Sequence, residues 1–461
     1  FDSGQTLTTG FHPLHAYLLA MVSIITQPDP GQFVQLGLLL SAAITMLAVG
    51  SGLLVAYRLR EPIVVLVLAL VASSQNVVFN SVSIVEWPLV VLISGLYFIC
   101  LYRGLRTGHR RSVVLLFLLG VAGSLARSDF GLLPLSMFLA TVYVGRLSRS
   151  YAGVRPALAG LLGATTGVAA VLAHNYLFTG QFLPSSALVK AHWATFIPDI
   201  VPVISTFSPD LLRITSPGSK RAIVWVAVPL LLALGVRLSR SCRSELAPLL
   251  TASSPAVVML LGSSVTVIGY GYLYSRSAAI QPWYSSNTVI ATLVVVTIVL
   301  LWLSRLLGRH IIALGLLVIL LQPVLLNIRQ LYPLGGSAAP WPHQSAMLAA
   351  GKYLAEAEPA GLVGSWNAGI IGYYQGGDVI NLDGLVNNEV YPYMVENRLN
   401  EYIAQKGIRY VVDFALMFDS RMMRERGGYA DAVLPRKPLV VYPDPPHSGE
   451  WLGLTLYALD R

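Results

Sequence analysis

Apolar runs long enough to cross a lipid bilayer recur along the first 326 residues, and they restrict the fold more than any other feature. A span needs about 20 mostly apolar residues to cover roughly 30 Å of hydrocarbon. Runs of this kind lie at residues 33–57, 62–80, 85–102, 112–126, 131–146, 156–175, 221–237, 250–273, 286–304 and 310–326. Hydrophobic residues make up 55% of the 461 residues and charged residues only 11%, which excludes a soluble globular protein. We predict a multi-pass α-helical membrane protein with about ten spans.

Two parts of this plan allow a second interpretation. The runs at 112–126 and 131–146 are short and flank "RSDF", so they form either two spans or one broken hairpin. Residues 12–27 are apolar but too few for a span, and this pattern predicts an interfacial helix that lies along the membrane surface.

The basic residues predict the orientation of the chain. One alternating set of loops is rich in arginine and contains Arg58, Arg60, Arg103, Arg106, Arg110, Arg111, Arg146, Arg149, Arg155, Arg237, Arg240, Arg243, Arg305 and Arg309. Before residue 327 the other set holds only Arg127, Lys190, Arg213, Lys220, Arg221 and Arg276. The positive-inside rule places the first set in the cytoplasm. We therefore predict a protein of the inner (plasma) membrane, and we attribute its net charge of +9 to orientation rather than to nucleic-acid binding.

The first residues, "FDSGQTLTTGFHPLHAYLLA", have no initiating Met, no basic stretch and no apolar signal core. The predicted orientation nevertheless places residue 1 outside. We expect an additional signal-anchor span upstream, which would bring the total to about eleven.

Three regions follow from this plan. Residues 1–32 are the remainder of a first outer loop with its interfacial helix, 33–326 form the transmembrane domain with a long outer loop at 177–220, and 327–461 form a small extracytoplasmic α/β domain. In the last region, helical patterns at 343–358 and 395–407 alternate with strand-like runs at 361–366, 378–384, 409–414, 438–443 and 454–459. "PLGGSAAPWP" precedes it as a linker.

Charged residues avoid the middle of the predicted spans, which disfavours an ion-coupled carrier. The glycines of "GLLGATTG" lack a neighbouring Lys and lie inside a span, so they indicate helix packing rather than a phosphate-binding loop. "GSWNAGIIGYY" also spaces glycines after a strand, but its spacing differs from the dinucleotide fingerprint, and we predict close packing of helix on sheet.

The outer ends of the spans instead collect polar residues: His12, Glu86, Arg127, Asp129, Lys190 and Arg276, with Gln281, Trp283 and Tyr284 in "QPWY". This chemistry suits a polyprenyl-phosphate sugar. Its phosphate needs cations such as Lys190 and Arg276, an acceptor hydroxyl needs a carboxylate, and the sugar ring or the lipid neck suits Trp283 and Tyr284.

Several stretches, taken in order, resemble the GT-C superfamily of integral-membrane glycosyltransferases. They are the opening segment, "SIVEWPLVVLISGLYF", "LARSDFGLLPL", "NYLFTGQFLPSSALVK", "QPWY" and "GSWNAGIIGYYQGGDVINLDGLVNNEVYP". They cover nearly the whole chain, although each motif alone is weak. The most similar members are bacterial enzymes of the arabinofuranosyltransferase-like kind and other lipid-linked-sugar transferases.

The resemblance implies transfer of a sugar from a polyprenyl-phosphate donor to an extracytoplasmic acceptor, with membrane lipids as further partners and no nucleic acid. It implies inversion, no organic cofactor and often no metal; a divalent metal is not indicated by this sequence. The main catalytic carboxylate of such enzymes follows the first span, a place upstream of Phe1. Glu86 is the catalytic candidate within this chain, although Ile84-Val85-Glu86 stands where the family often has Gly-Met-Glu.

Each candidate also has a structural interpretation. Glu86 could be a solvated carboxylate at a span end, Arg127 could pair with Asp129 instead of binding phosphate, and Lys190 and Arg276 could reach lipid headgroups. Trp283 and Tyr284 fit an interfacial aromatic belt, and His12 a hydrogen bond within its loop. Asp383 and Asn387 are candidates for acceptor contact or for capping a turn.

Two other classes of function remain open at this point. A lipid or polysaccharide transporter, or flippase, would have charged groups at mid-membrane or an inward cavity. A non-catalytic envelope scaffold would leave the outer polar residues scattered.

Overall fold

The computed structural model describes residues 8–151, 153–194, 255–276, 281–331, 343–429, 436–444 and 451–459. The predicted span at 221–237, the linker at 333–342 and the outer loop from 195 to 220 lie outside the described residues. The chain divides into two compact units. We call the described parts of His12–Val171 and Thr195–Leu331 the helical unit, and those of Phe1–Phe11, Leu172–Ala194 and Tyr332–Arg461 the α/β unit.

Twelve helices precede the sheet region in the described chain. They are α1 (Pro13–Thr26), α2 (Pro30–Leu59), α3 (Pro62–Ala72), α4 (Gln75–Ser81), α5 (Trp87–Thr107), α6 (Arg110–Ala126), α7 (Leu132–Ser148), α8 (Val154–Thr179), α9 (Ser185–Trp193), α10 (Pro255–Ser275), α11 (Ser286–Leu307) and α12 (Arg309–Leu331). Short 3₁₀ turns at Ser128–Gly131 and Pro282–Ser285 lead into α7 and α11. From Leu172 onward, α8 and all of α9 belong to the α/β unit.

Within the described residues, six helical segments are long and apolar enough to cross a membrane, namely Pro30–Leu59, Trp87–Thr107, Ser128–Ser148, Val154–Thr179, Pro255–Ser275 and Pro282–Arg305. The protein is therefore a multi-pass α-helical membrane protein, as the apolar runs predict. The short apolar helix α1 coincides with the expected interfacial segment, and α6 and α7 are separate helices joined through the 3₁₀ turn at "SDFG".

One predicted span is wrong in detail, because residues 62–80 form two helices instead of one. α3 ends at Ala72, and α4 begins at Gln75. The hydroxyl of Ser74 accepts a hydrogen bond from the backbone N–H of Val77 and so caps α4. A serine N-cap requires an extended backbone, which interrupts the helix although both sides are apolar.

The helical unit packs around α5. Apolar side chains of α5 are buried against α6, α7 and α10 in one cluster that includes Tyr97, Phe130 and Met137. In the most apolar 18-residue stretch of α5, 56% is buried inside the unit, whereas in the corresponding stretch of α2 only 6% is buried. α5 is thus the central helix, and α2 presents most of its apolar surface outward, as a lipid-facing helix does.

The glycines of "GLLGATTG" pack α8 against its neighbours, which confirms the prediction from the sequence. A Cβ added at Gly163 would overlap the backbone carbonyl of Phe117 in α6. A Cβ at Gly167 would lie 2.7 Å from the carbonyl oxygen of Val121, and one at Gly160 would overlap the Tyr97 hydroxyl. Small residues let the helix backbones approach closely, as is usual inside membranes.

The C-terminal region of the α/β unit contains a five-stranded sheet flanked by short helices. Its elements are α13 (Gln344–Ala357), β1 (Leu362–Ser365), α14 (Ala368–Gln375), β2 (Val379–Asn381), α15 (Val390–Val395), α16 (Leu399–Gln405), β3 (Ile408–Asp413), α17 (Ala415–Asp419), α18 (Arg421–Gly427), β4 (Arg436–Val441) and β5 (Thr455–Leu459). The strand order is β2-β1-β3-β5-β4, and β1, β2 and β3 are parallel while β5 runs antiparallel to both its neighbours. All five predicted strands are present.

Two earlier segments of the chain belong to this unit. Val189 of α9 is fully buried in a core that also contains Leu382 and Met394. The side chain of Asn388 donates to the hydroxyl of Thr9 at 3.2 Å, and Ser185 donates through its hydroxyl to the carbonyl of Leu385 at 3.0 Å. Residues far apart in sequence thus complete one hydrophobic core.

The loop after β1 surrounds a buried carboxylate at the end of β3. Asp413 accepts hydrogen bonds from the backbone N–H groups of Trp366 and Asn367, at 2.7 and 3.1 Å, and from the Ser365 hydroxyl at 3.0 Å. The Asn367 amide and the Phe414 N–H also donate to it. Among the glycines of this stretch, Gly364 packs tightly, with an added Cβ 2.8 Å from Leu382, but Gly369 faces open space. The prediction of close packing therefore holds at Gly364 and not at Gly369.

Candidate active site at the helix ends

Three charged side chains from separate parts of the sequence meet in the helical unit. The Arg127 guanidinium donates to Glu86 Oε1 at 2.6 Å and to both carboxylate oxygens of Asp129, at 2.9 and 3.2 Å. The Arg127 side chain is only 6% exposed, and that of Glu86 is 10% exposed. The cluster is therefore buried, and its two carboxylates and one guanidinium give it one excess negative charge.

Helix termini place these groups. Glu86 is the N-cap residue of α5, Arg127 is the C-cap residue of α6, and Asp129 lies in the 3₁₀ turn before α7. Because α6 ends where α5 and α7 begin, the three side chains share one level of the bundle. We call this group the acid–arginine cluster.

Three further residues complete the cluster, and sequence reasoning missed them. The hydroxyl of Tyr274, near the end of α10, accepts a hydrogen bond from Arg127 at 3.0 Å and donates one to Asp129. Tyr270, one turn earlier, donates to the backbone carbonyl of Asp129, and the Asn287 amide donates to the Asp129 carboxylate at 2.9 Å. The i, i+4 spacing of the two tyrosines just before Arg276 was the available signal.

Histidines of α1 border the cluster. His12 Nε2 lies 3.5 Å from Glu86 Oε1, and the His12 side chain is 33% exposed, so His12 is the most accessible member. Burial would raise the pKa of Glu86, but the charges of His12 when protonated and of Arg127 outweigh it and hold that pKa below its usual value. Burial lowers the pKa of His15, and the charge of Glu86 opposes this.

Arg127 remains a cation in this setting. Burial alone would lower its pKa, but the charge of Asp129, with Tyr274 and Glu86, raises that pKa well above its usual value. Its donors are directed at Glu86, Asp129 and Tyr274, and its guanidinium lies 5.1 Å from the Tyr284 ring centroid. A guanidinium held by two carboxylates is suited to positioning them rather than to binding a phosphate.

The arginine-rich segments occupy the opposite ends of the same helices. Arg106 and Arg146 lie in the last turns of α5 and α7, Arg305 lies in the last turn of α11, and α6 begins at Arg110. The acid–arginine cluster and the basic ends are therefore separated by the length of the helices.

The remaining predicted residues of the helical unit lie near the start of α11. Tyr284 is buried and stacks on Tyr274 with ring centroids 5.0 Å apart, whereas Trp283 is half-buried beside it. Gln281 is the N-cap of the 3₁₀ turn and accepts a backbone hydrogen bond from Tyr284. Arg276 directly follows α10 and is exposed.

Lys190 belongs to the α/β unit, where it lies half-buried in the last turn of α9. Asp383 and Asn387 lie in the turn after β2. Asp383 accepts from the N–H of Leu385 at 2.8 Å. The buried Asn387 amide donates to the Asn381 carbonyl and the Tyr402 hydroxyl, and its oxygen accepts from Glu389. These contacts favour turn capping for both residues.

Within the described residues, no group of three or more His, Cys, Asp or Glu side chains could hold a metal ion. The chemistry that the acid–arginine cluster offers is proton transfer and hydrogen bonding.

A family model described as a domain of unknown function (DUF8728) matches residues 338–451, which contain most of the sheet. Neither the curated proteins nor the solved structures include a match to the chain.

Proposed function

We propose that the protein is a membrane glycosyltransferase of the GT-C kind, which transfers a sugar from a polyprenyl-phosphate donor to an acceptor outside the cytoplasm. The acid–arginine cluster carries this proposal. Buried ion pairs of this kind are costly to desolvate and are weak stabilisers, so a cluster of titratable groups at one membrane level is a candidate functional site.

The arginine distribution supports the orientation. Loops rich in arginine face the cytoplasm by the positive-inside rule, and the cluster occupies the opposite helix ends. The proposed site therefore opens toward the outer leaflet, where a lipid-linked sugar donor and an envelope acceptor meet.

In the proposed reaction, the acceptor hydroxyl attacks the anomeric carbon of the donor sugar while its proton passes to the Glu86–His12 pair. The bond between the anomeric carbon and the phosphate oxygen breaks, and its electron pair leaves with the polyprenyl phosphate. His12 is placed to contact the acceptor because it is the more exposed of the pair. Arg127 orients Glu86, and Arg276 is the proposed cation for the departing phosphate.

Transport is less well supported. In the described spans, acidic and basic side chains lie in the terminal turns or just beyond them, whereas ion-coupled carriers usually have such groups at mid-membrane. A scaffold is also less well supported, because four of the predicted polar residues, His12, Glu86, Arg127 and Asp129, converge instead of scattering.

The test measures polyprenyl phosphate released by the full protein in lipid nanodiscs from a panel of polyprenyl-phosphate sugars with an envelope acceptor extract. We expect turnover with one sugar, and a fall in kcat of roughly a hundredfold or more for Glu86→Gln, the scale of general-base catalysis. Glu61→Gln is the matched control. Glu61 pairs with Arg309 at 3.4 Å, at the basic end of the helices.

Two outcomes would reject the proposal. One is the absence of turnover across the whole sugar panel. The other is an equal loss of activity in Glu86→Gln and Glu61→Gln, since this would mean that removing any carboxylate impairs the protein.

A further inference from the structure

Four polar side chains from three elements form a hydrogen-bonded group beside the acid–arginine cluster. The Asn80 amide donates to Asn76 Oδ1 at 2.6 Å, and the Asn76 amide donates to the Ser285 hydroxyl at 2.9 Å. The indole N–H of Trp87 donates to the same hydroxyl at 3.0 Å. Asn287, two residues after Ser285, donates to the Asp129 carboxylate. We call these four residues, together with Asn287, the amide group.

Two acceptor oxygens in the amide group are buried without a donor among the described residues. They are Asn80 Oδ1 and Asn287 Oδ1, on residues that are 0% and 1% exposed. A buried acceptor with no hydrogen bond is unfavourable, and most buried polar atoms in proteins have a partner. Both oxygens are hydrogen-bond acceptors, and so is the Asp129 carboxylate next to Asn287. A ligand bound here would therefore have to donate hydrogen bonds.

The charge of the amide group selects the class of ligand. Its side chains are neutral amides, a hydroxyl and an indole, and the nearest charged contact is the Asp129 carboxylate. A phosphate would place its oxygens against these acceptors, which is unfavourable. A neutral polyol such as a sugar offers hydroxyl donors instead.

Aromatic residues adjoin the same group. Trp87 and the half-buried Trp283 belong to one apolar cluster with Val71, Val77 and Val91. Sugar rings carry C–H faces that pack on aromatic side chains while their hydroxyls hydrogen-bond at the edges. Amides and indoles together are the composition of a carbohydrate subsite.

We propose that Asn80 and Asn287 form a sugar-binding subsite that accepts hydrogen bonds from hydroxyl groups of the donor sugar. The proposal rests on the proposed function for the identity of the donor, but binding can be measured without turnover. In this subsite, the amides distinguish a sugar-bearing lipid from the same lipid phosphate without a sugar.

The experiment titrates the full protein in nanodiscs by isothermal calorimetry with three probes: farnesyl phosphate, farnesylphosphoryl-arabinofuranose and farnesylphosphoryl-mannose. The quantity compared is the ratio of affinities for a sugar-bearing lipid and for farnesyl phosphate. The variants are Asn80→Leu and Asn287→Leu, which remove the unpaired oxygens and also the hydrogen bonds that the two amides donate to Asn76 and Asp129. The melting temperature of each variant in nanodiscs is therefore measured first, to show that it is folded. Asn400→Leu is the control, since its Oδ1 is also buried without a partner but lies in the α/β unit.

We expect the wild-type ratio to exceed one for at least one sugar. Each subsite variant should lower that ratio about fivefold, the scale of one hydrogen bond, while its affinity for farnesyl phosphate and the Asn400→Leu ratio stay unchanged. An unchanged ratio in both subsite variants overturns the proposal and means that water serves the oxygens. A wild-type ratio of one for both sugars also overturns it.

These outcomes separate the two proposals. If the protein discriminates sugars through Asn80 and Asn287 but never releases polyprenyl phosphate, the subsite proposal is supported and the transferase proposal is rejected. If the protein shows turnover but the affinity ratios of both variants are unchanged, the transferase proposal is supported and the subsite proposal is rejected.

Discussion

At the scale of single residues, Arg127 shows how one side chain organises a buried site. It ends α6 and contacts Glu86 and Asp129 at once. Removing one member of a buried charge group leaves its partners without compensation, which costs more than the pairing contributes. Arg127 is therefore best described as a positioning residue.

Asp383 provides a prediction about pH. Burial raises the pKa of Asp383 to about 6, above about 3.9 for an unfolded Asp. The folded state therefore binds the extra proton between these values, and stability falls as pH rises from about 4 through 6. We expect Asp383→Asn to be more stable than wild type by about 2 kcal/mol at pH 7.5 and nearly equal at about pH 3.

Thermal unfolding followed by tryptophan fluorescence at the two pH values measures this difference. Asp378→Asn, which changes an exposed carboxylate nearby, is the matched control. An Asp383→Asn variant with no pH-dependent gain would show that the carboxylate is well solvated in the folded protein.

The polar residues at these helix ends could be selected from the sequence because charge is rare in this chain. His12, Glu86, Arg127 and Asp129 were all predicted, and they do meet. Tyr270, Tyr274 and Asn287 were not, because a tyrosine or an asparagine inside an apolar helix is equally consistent with packing. Only the position of neighbouring helix ends distinguishes the two roles.

At the scale of elements, the lengths of the apolar runs predicted the positions of the helices well. The prediction failed where a local hydrogen bond interrupts a helix. The observed helix bounds lie within a few residues of most predicted spans. The break between α3 and α4 depends on one serine side chain binding a backbone N–H, and hydropathy contains no information about that contact.

The close approach of α6 and α8 gives a prediction at this scale. Gly163→Ala would force the new Cβ into the Phe117 carbonyl, and we expect a loss of about 1–3 kcal/mol, as for other overpacked sites. Gly95→Ala in α5 is the matched control, because nothing lies within 4 Å of its added Cβ. The control should be neutral or slightly stabilising because alanine favours helix.

Thermal unfolding of both variants in the same detergent gives the comparison. Equal melting temperatures for Gly163→Ala and Gly95→Ala would mean that α6 and α8 separate enough to accept a methyl group.

At the scale of the whole molecule, the α/β unit is assembled from parts that the sequence keeps apart. Residues within Phe1–Phe11 and Leu172–Ala194 join the C-terminal region in one compact unit. The sequence indicated the strands correctly, but it gave no sign that Val189 belongs to their core. The helix that carries Val189 has only nine residues, too few for a periodic pattern that could reveal its partner.

Val189 gives the corresponding prediction. Val189→Ala removes two buried methyl groups from the core of the α/β unit and should cost about 2 kcal/mol. Hydrogen exchange of the full protein should then accelerate in β2 and α15 and stay unchanged in α5 and α6. Val395→Ala, at a residue that is 46% exposed, should have little effect. Unaltered exchange in β2 and α15 would contradict the assigned core.

The carboxylate of Asp413 has a consequence for the chemistry that the sheet can host. In parallel α/β sheets, nucleotide phosphates settle at the carboxyl end where the strand order reverses, which here lies between β1 and β3. Five donors already converge there on Asp413, an arrangement that suits an ionised carboxylate even though burial raises the pKa of Asp413. A free phosphate would have to compete for these donors with the Asp413 carboxylate. Because that carboxylate belongs to the same chain, its effective concentration is on the order of millimolar or more. The Asp413 side chain thus occupies the position where a nucleotide phosphate would bind, and we expect that mononucleotides do not displace it.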